Sequence, residues 1–170
     1  MKTPLVAQGN LPAGELAGQT VLITGGGGGI GFEAARALIW LGAKIIIVDI
    51  DEDKIKQSKA TLNGEFPAAS CEFIIGDVGD ERFVESLAEQ FSQVDVVINN
   101  ATIVPLGPVT ELEISEWDRS YHVNLRGPVL LAKAFLPEMV VRGKGAFICV
   151  SSTGVQFMGP YETMKAAQVH

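Results

Sequence analysis

The stretch Thr20-Val21-Leu22-Ile23-Thr24-Gly25-Gly26-Gly27-Gly28-Gly29-Ile30-Gly31 decides how this chain folds. Its first five residues are β-branched or apolar and read as a buried strand. Glycines follow, and an amphipathic run begins at Ile30. A strand, a glycine turn and a helix in direct succession let backbone N–H groups approach a pyrophosphate at an open helix N-terminus. The glycine run satisfies several phosphate-loop patterns at once, including G-x-G-x-x-G at Gly26, Gly28 and Gly31, so the turn alone leaves its ligand open. It lacks the Lys-Ser/Thr of a P-loop.

Working outward, short apolar runs alternate with longer amphipathic ones, the pattern of βαβ units in a parallel sheet. Strands are predicted over residues 20–24, 44–50, 72–76, 94–99 and 145–151. In the first helix, Ile30, Ala34 and Leu38 form an apolar stripe at i, i+4 spacing. Asp51, Glu52 and Asp53 give an acidic start to a second helix through Ile55 and Ala60. Asp80 is the predicted cap of a helix carrying Phe83, Leu87 and Phe91, and Ser115 the cap of a long one over 116–141. There is no internal repeat and no linker. Residues 1–18, with Pro4, Gly9, Pro12 and Gly14, read as an irregular arm before a single domain over 19–170. The fold class is α/β, a Rossmann-like doubly wound parallel sheet of about five strands.

With 170 residues, 47% of them apolar and 19% charged, the chain can bury a sizeable core. A formal charge of -7 disfavours a nucleic-acid backbone or an anionic membrane surface as partner and favours a small molecule. Cys71 and Cys149 each lie in an apolar run and read as small core hydrophobes, forming neither a disulfide framework nor a zinc site. That usage, with no export signal or membrane span visible, points to the cytoplasm.

Asp49 ends the second predicted strand about twenty residues after the glycine turn, where a carboxylate can accept both hydroxyls of an adenosine ribose. It would repel a 2′-phosphate. No Lys or Arg stands in the turn or at positions 50 and 51, so NAD is expected over NADP; a simple helix cap is the other reading of Asp49. Near the end of the chain, Tyr161 and Lys165 stand at i and i+4, one helical turn apart, where an ammonium can favour the ionised form of a phenol. Such a pair also occurs by chance on surface helices.

Together these residues resemble the short-chain dehydrogenase/reductase family, in its classical form, from Thr20 onward. Thr24, Gly25, Gly29 and Gly31 fit its T-G-x-x-x-G-x-G turn, which includes Ile30; Asp77-Val78 follows the third strand and Asn99-Asn100-Ala101 the fourth. Asn124 stands in the long helix, Ser151-Ser152 at the end of the fifth strand, and Tyr161 and Lys165 complete Y-x-x-x-K. The resemblance implies an oxidoreductase interconverting an alcohol and a ketone. Tyr161 would be general acid or base, and Lys165 would assist it while holding the nicotinamide ribose. Ser152, with Ser151 in reserve, would polarise the substrate oxygen, and Asn124 would anchor a water in the proton path. Asp77, Val78, Asn99 and Ala101 would shape the cofactor wall, although Asp and Asn at strand ends also cap turns.

Pro128 has no N–H to offer the Asn124 carbonyl four residues back, and an ordered water linking that carbonyl to Lys165 is the expected partner; a simple kink is the alternative. Three departures limit the resemblance. Thr102 stands where the family's Asn-Asn-Ala-Gly has glycine, so cofactor access is expected to narrow there. Tyr161 follows Ser152 by only nine positions, which shortens the loop holding Gly154, Gln156, Phe157 and Met158. Finally, the family's fold normally continues past His170, so the chain is expected to be a fragment of a longer enzyme. A non-catalytic dinucleotide-binding module is the rival function, and a dehydratase or epimerase a weaker third. Relatives are commonly dimers or tetramers; Trp117, Leu131 and Phe135 suit either such a contact or the core.

Overall fold

A computed structural model describes residues 12–153 and 159–169. Five strands, β1 (Thr20–Thr24), β2 (Lys44–Asp49), β3 (Cys71–Ile75), β4 (Val96–Asn99) and β5 (Ala146–Cys149), form one parallel sheet in the order β3-β2-β1-β4-β5. The chain winds outward from β1 through β2 to β3, then returns to β1's other side for β4 and β5. This is a Rossmann-like α/β fold, and the reversal leaves a crevice at the carboxyl ends of β1 and β4. Parallel register sets Thr24 beside Val48, and Asn99 beside Cys149.

Helices α1 (Gly29–Trp40), α2 (Glu52–Glu65), α3 (Glu81–Gln90), α4 (Ile114–Tyr121), α5 (Gly127–Arg142) and α6 (Pro160–Ala167) complete the fold. Successive strand residues face opposite ways, so β1 and β2 feed two cores. Val21, Ile23, Ile45 and Ile47 pack with Ala35 and Ile39 of α1 and Ile55 and Leu62 of α2. Leu22, Ile46, Val48 and Val97 pack with Val84 and Leu87 of α3 and Leu131 and Phe135 of α5. Burying each large apolar side chain contributes about 1.5–3 kcal/mol, which is why the sheet accepts helices on both faces. Leu131 and Phe135 are therefore core residues here. Asp95, just before β4, accepts from the Thr20 amide at 3.0 Å and pairs with Arg142 at 3.3 Å and Lys144 at 3.4 Å, joining β1, β4 and the end of α5. Among the described residues, no helix is long and apolar enough to cross a membrane.

Four sequence expectations shift. The buried stripe of α1 is Gly31, Ala35 and Ile39, one position beyond the predicted one, and Ile30 is 71% exposed. The long helix is broken: α4 starts after Glu113 with no side-chain cap, so Ser115 is inside it, and residues 122–126 form a π turn before α5. Pro128 lies just beyond that turn, at the start of α5, where its missing N–H and ring disfavour a regular α-helical bond to Asn124. Cys149, on the outer strand β5, is exposed rather than in the core, and Cys71 is half-buried. Asp51 and Asp80 do cap α2 and α3, each accepting from two backbone amides. Of the predicted arm, residues 13–18 form turns.

Candidate active site

At the crevice, Thr24 is fully buried and its hydroxyl accepts from the amides of Asn100 and Ala101, each at 3.1 Å. The Asn100 side-chain amide donates to the carbonyls of Thr24 and Gly25, also at 3.1 Å. These bonds lock the end of β1 to the chain leaving β4. Gly25 has φ +63°, and a Cβ there would fall 2.8 Å from the Ala101 Cα. At Gly31 a Cβ would fall 2.4 Å from the Gly25 carbonyl oxygen. Only glycine allows α1 to start this close to the strand. The residue types at both positions follow from packing.

The turn opens on a cavity of about 800 Å³ lined by Gly25, Gly28, Gly29, Ile30, Asp49 and Ile50 near β1 and β2, and by Asp77, Val78, Asn100 and Ala101 near β3 and β4. α1 begins at this cavity with no side-chain cap and no acid in its first turn. Its free N–H groups and positive dipole end suit an anion, and a dinucleotide's pyrophosphate fits that donor set. Asp49 is held by the Gly27 amide at 3.0 Å on one oxygen and the Asp51 amide at 3.1 Å on the other. It is not the cap of α2, a role Asp51 fills, so its carboxylate is a fixed acceptor at the cavity wall.

Asp77 has two partners: one oxygen accepts from the Gly79 amide at 2.8 Å, and the other meets His122 Nε2 at 3.0 Å. It thus closes a turn and also lines the cavity. Among the other predicted contacts, Ile30 and Val78 line the cavity, while Thr24, Gly31 and Asn99 do not. Asn99 is fully buried beside Cys149 of β5; its neighbour Asn100 lines the wall instead. Sequence reasoning missed Asn100, Ile50, Lys54 and His122. Lys54 follows one turn after the Asp51 cap, pairs with Asp51 at 3.5 Å and stands at the lining beside Asp49. Its spacing from Asp51 on an acidic helix start was the available signal.

The second group sits around Asn124, in the π turn and fully buried. Its side-chain oxygen accepts from Thr102 Oγ1 and the Ile103 amide, both at 2.9 Å. Its Nδ2 donates to the Ile103 carbonyl at 2.8 Å and to Ser120 Oγ at 2.9 Å. Thr102, the departure from glycine, therefore supports Asn124, and it lines the cavity as well. No non-glycine residue among those described has positive φ, so threonine is unstrained there.

Beyond β5, the Val150 amide donates to the Asn99 carbonyl at 3.0 Å, and Val150's carbonyl accepts from Lys165 Nζ at 2.6 Å. Ser151 is exposed and Ser152 half-buried directly after this anchor. Residues 154–158, including Gln156, lie outside the described residues. α6 places Tyr161 and Lys165 one turn apart, with Nζ 5.9 Å from the Tyr161 ring centroid. Lys165 is 1% exposed. Burial pushes its pKa down, partly offset by the nearby Cys149 thiol. Nζ also donates to Gln168 Oε1 at 3.3 Å, and Gln168 Nε2 donates to the Asn124 carbonyl. The Gln168 carboxamide thus meets the carbonyl that Pro128 leaves without its α-helical N–H. Tyr161, Lys165 and Ser152 do not line the cavity; Asn124 and Thr102 link the two regions.

The short chain dehydrogenase family profile matches residues 19–170. An uncharacterised oxidoreductase of Thermotoga maritima is 38% identical over 156 residues, covering 88% of this chain and 61% of that protein. A 3-oxoacyl-[acyl-carrier protein] reductase from Brucella melitensis, solved with bound NAD, is 28% identical with a TM-score of 0.83, over 92% of this chain and 64% of the other. A protein from Beutenbergia cavernae, solved with NADP at low occupancy, is 28% identical with a TM-score of 0.81, over 91% and 64%. The chain thus spans less than two thirds of the length of these relatives. The glycine turn, the crevice and the profile match across the whole described domain agree, and the chain belongs to the short-chain dehydrogenase/reductase family of oxidoreductases, which depend on a nicotinamide dinucleotide.

Proposed function

We propose that this protein interconverts an alcohol and a ketone with NAD, using Tyr161, Lys165, Ser152 and Asn124. The supporting observation is the buried Lys165 ammonium one helical turn from Tyr161, tied to the end of β5. Among the described residues no carboxylate pairs with it. Burying an unpaired charge is costly, and sites retain such a charge where chemistry needs it.

Gly25, Gly28, Gly29 and Ile30 would hold the pyrophosphate, Asp49 the adenosine ribose, Asp77 and Val78 the adenine side, Ala101 the wall, and Tyr161 with Lys165 the nicotinamide ribose. When bound, NAD supplies the hydride acceptor and NADH the donor. Tyr161 gives a proton to the ketone oxygen or takes one from the alcohol. Ser152 donates to the same oxygen, and Lys165 offsets negative charge at the phenol oxygen. Asp49 favours NAD by repelling a 2′-phosphate, and Lys54 is drawn to Asp51 rather than left to offset it.

Turnover of secondary alcohols with NAD tests this reading. Tyr161→Phe should lower kcat by roughly 10²–10⁴-fold. Equal turnover by parent and variant would overturn the catalytic role of Tyr161. NAD binding without turnover across the panel would favour a dinucleotide-binding module instead.

A further inference from the structure

Gln168 lies one turn after Lys165 in the last turn around α6, and its carboxamide touches two groups that the proposed reaction uses. Oε1 accepts from Lys165 Nζ at 3.3 Å, and Nε2 donates to the Asn124 backbone carbonyl. The chemistry fixes this orientation: a carbonyl can only accept and an ammonium can only donate, so the flipped amide would lose both bonds. Lys165 is thereby held between two neutral oxygens, those of Val150 and Gln168. Among the described residues these are the two oxygens that accept from Nζ, and the Tyr161 ring centroid lies 5.9 Å from it.

Resting on the reading above, we infer that Gln168 is a positioning residue of the active site, whose carboxamide couples Lys165 to the Asn124 backbone carbonyl. Pro128 makes the bridge possible, because it withholds the backbone N–H that would otherwise compete for the Asn124 carbonyl. Among the described residues, the titratable groups facing the ammonium are Tyr161 on its own helix and Cys149 on β5; from the π turn and α4, Asn124 and Ser120 stand nearest this network and are uncharged.

The test compares Gln168→Glu and Gln168→Leu with the parent. NMR of isotope-labelled lysine, without cofactor, follows the Lys165 titration, and the pH profile of kcat/KM is read in parallel. Glutamate sets a negative charge against Nζ and should raise the Lys165 midpoint by about one unit or more, while leucine removes an acceptor of the charged form and should lower it. The kcat/KM profile should move the same way in each variant. Opposite displacements are the signature, since a merely structural role gives no sign reversal between the two. Midpoints that do not move, or that move in one direction in both variants, would overturn the inference. Failure of the underlying reading shows separately, as turnover that survives Tyr161→Phe.

Discussion

Asn124→Asp replaces an amide by a group of the same shape and should make the protein's stability depend on pH in a way the parent's does not. In the parent, Oδ1 accepts two hydrogen bonds and Nδ2 donates two, to the Ile103 carbonyl and Ser120 Oγ, inside a fully buried site. An ionised aspartate keeps the two accepted bonds and can accept from Ser120, whose hydroxyl can turn. It has no donor for the Ile103 carbonyl, and it carries a charge into a site away from water. Both effects favour the protonated carboxyl, which restores the missing donor. A rise of about 2–3 units over the unfolded value is expected. The folded pKa is then the higher one, so stability is fully present below the unfolded pKa near 4 and is lost as pH rises through the folded value. At about 1.4 kcal/mol per unit, the loss reaches about 3–4 kcal/mol above the folded pKa. Urea unfolding of the variant and parent at about pH 4 and pH 8 measures it. A variant whose deficit is the same at both pH values would refute the four-bond geometry assigned to Asn124.

Three further outcomes follow from the crevice and the sheet. Asp49→Ser removes the carboxylate at the cavity wall that is proposed to meet the adenosine ribose, and the ratio of NAD to NADP affinity should fall by about tenfold or more, read by fluorescence titration; it also tests whether Lys54 can serve a 2′-phosphate. Gly31→Ala drives a Cβ to 2.4 Å from the Gly25 carbonyl oxygen and 2.6 Å from Asn100 Nδ2, so it should cost about 1–3 kcal/mol in denaturant unfolding and weaken cofactor binding. Asp95 has a lowered pKa: burial opposes ionisation, but the Thr20 amide, Lys144 and Arg142 outweigh it. Its stabilisation is present above the unfolded value near 4 and lost as pH falls through the lower folded one. Asp95→Asn should therefore cost about 2–3 kcal/mol at neutral pH, with the gap narrowing in acid, by urea unfolding at several pH values.

The sequence was most legible where a local pattern fixes one answer. β1, the glycine turn and the start of α1 follow from adjacent residues, as do the caps at Asp51 and Asp80. The core face of α1 was harder, because Ile30 is as apolar as Ile39. Periodicity counts both, yet Ile30 faces the cavity. Asn99 and Asn100 are also identical by composition, and alternation along the strand sends only one of them to the wall. The π turn escaped notice since its cause, Pro128, reads equally well as a kink. Cys149 looked like a core residue because its run is apolar, whereas its exposure depends on β5 being the outer strand. His122 with Asp77, and Gln168 with Asn124, meet across more than forty residues, a distance no local spacing rule reaches.

The direct test of the central claim is to follow the hydrogen itself. The protein is incubated with NAD and a secondary alcohol carrying deuterium at the carbinol carbon, and the reduced cofactor is examined by mass spectrometry. Deuterium in the NADH formed by the parent, with the same product formed roughly 10²–10⁴-fold more slowly by Tyr161→Phe, is the predicted result. NAD bound at the glycine turn with no deuterium transferred from any alcohol of the panel would contradict the account.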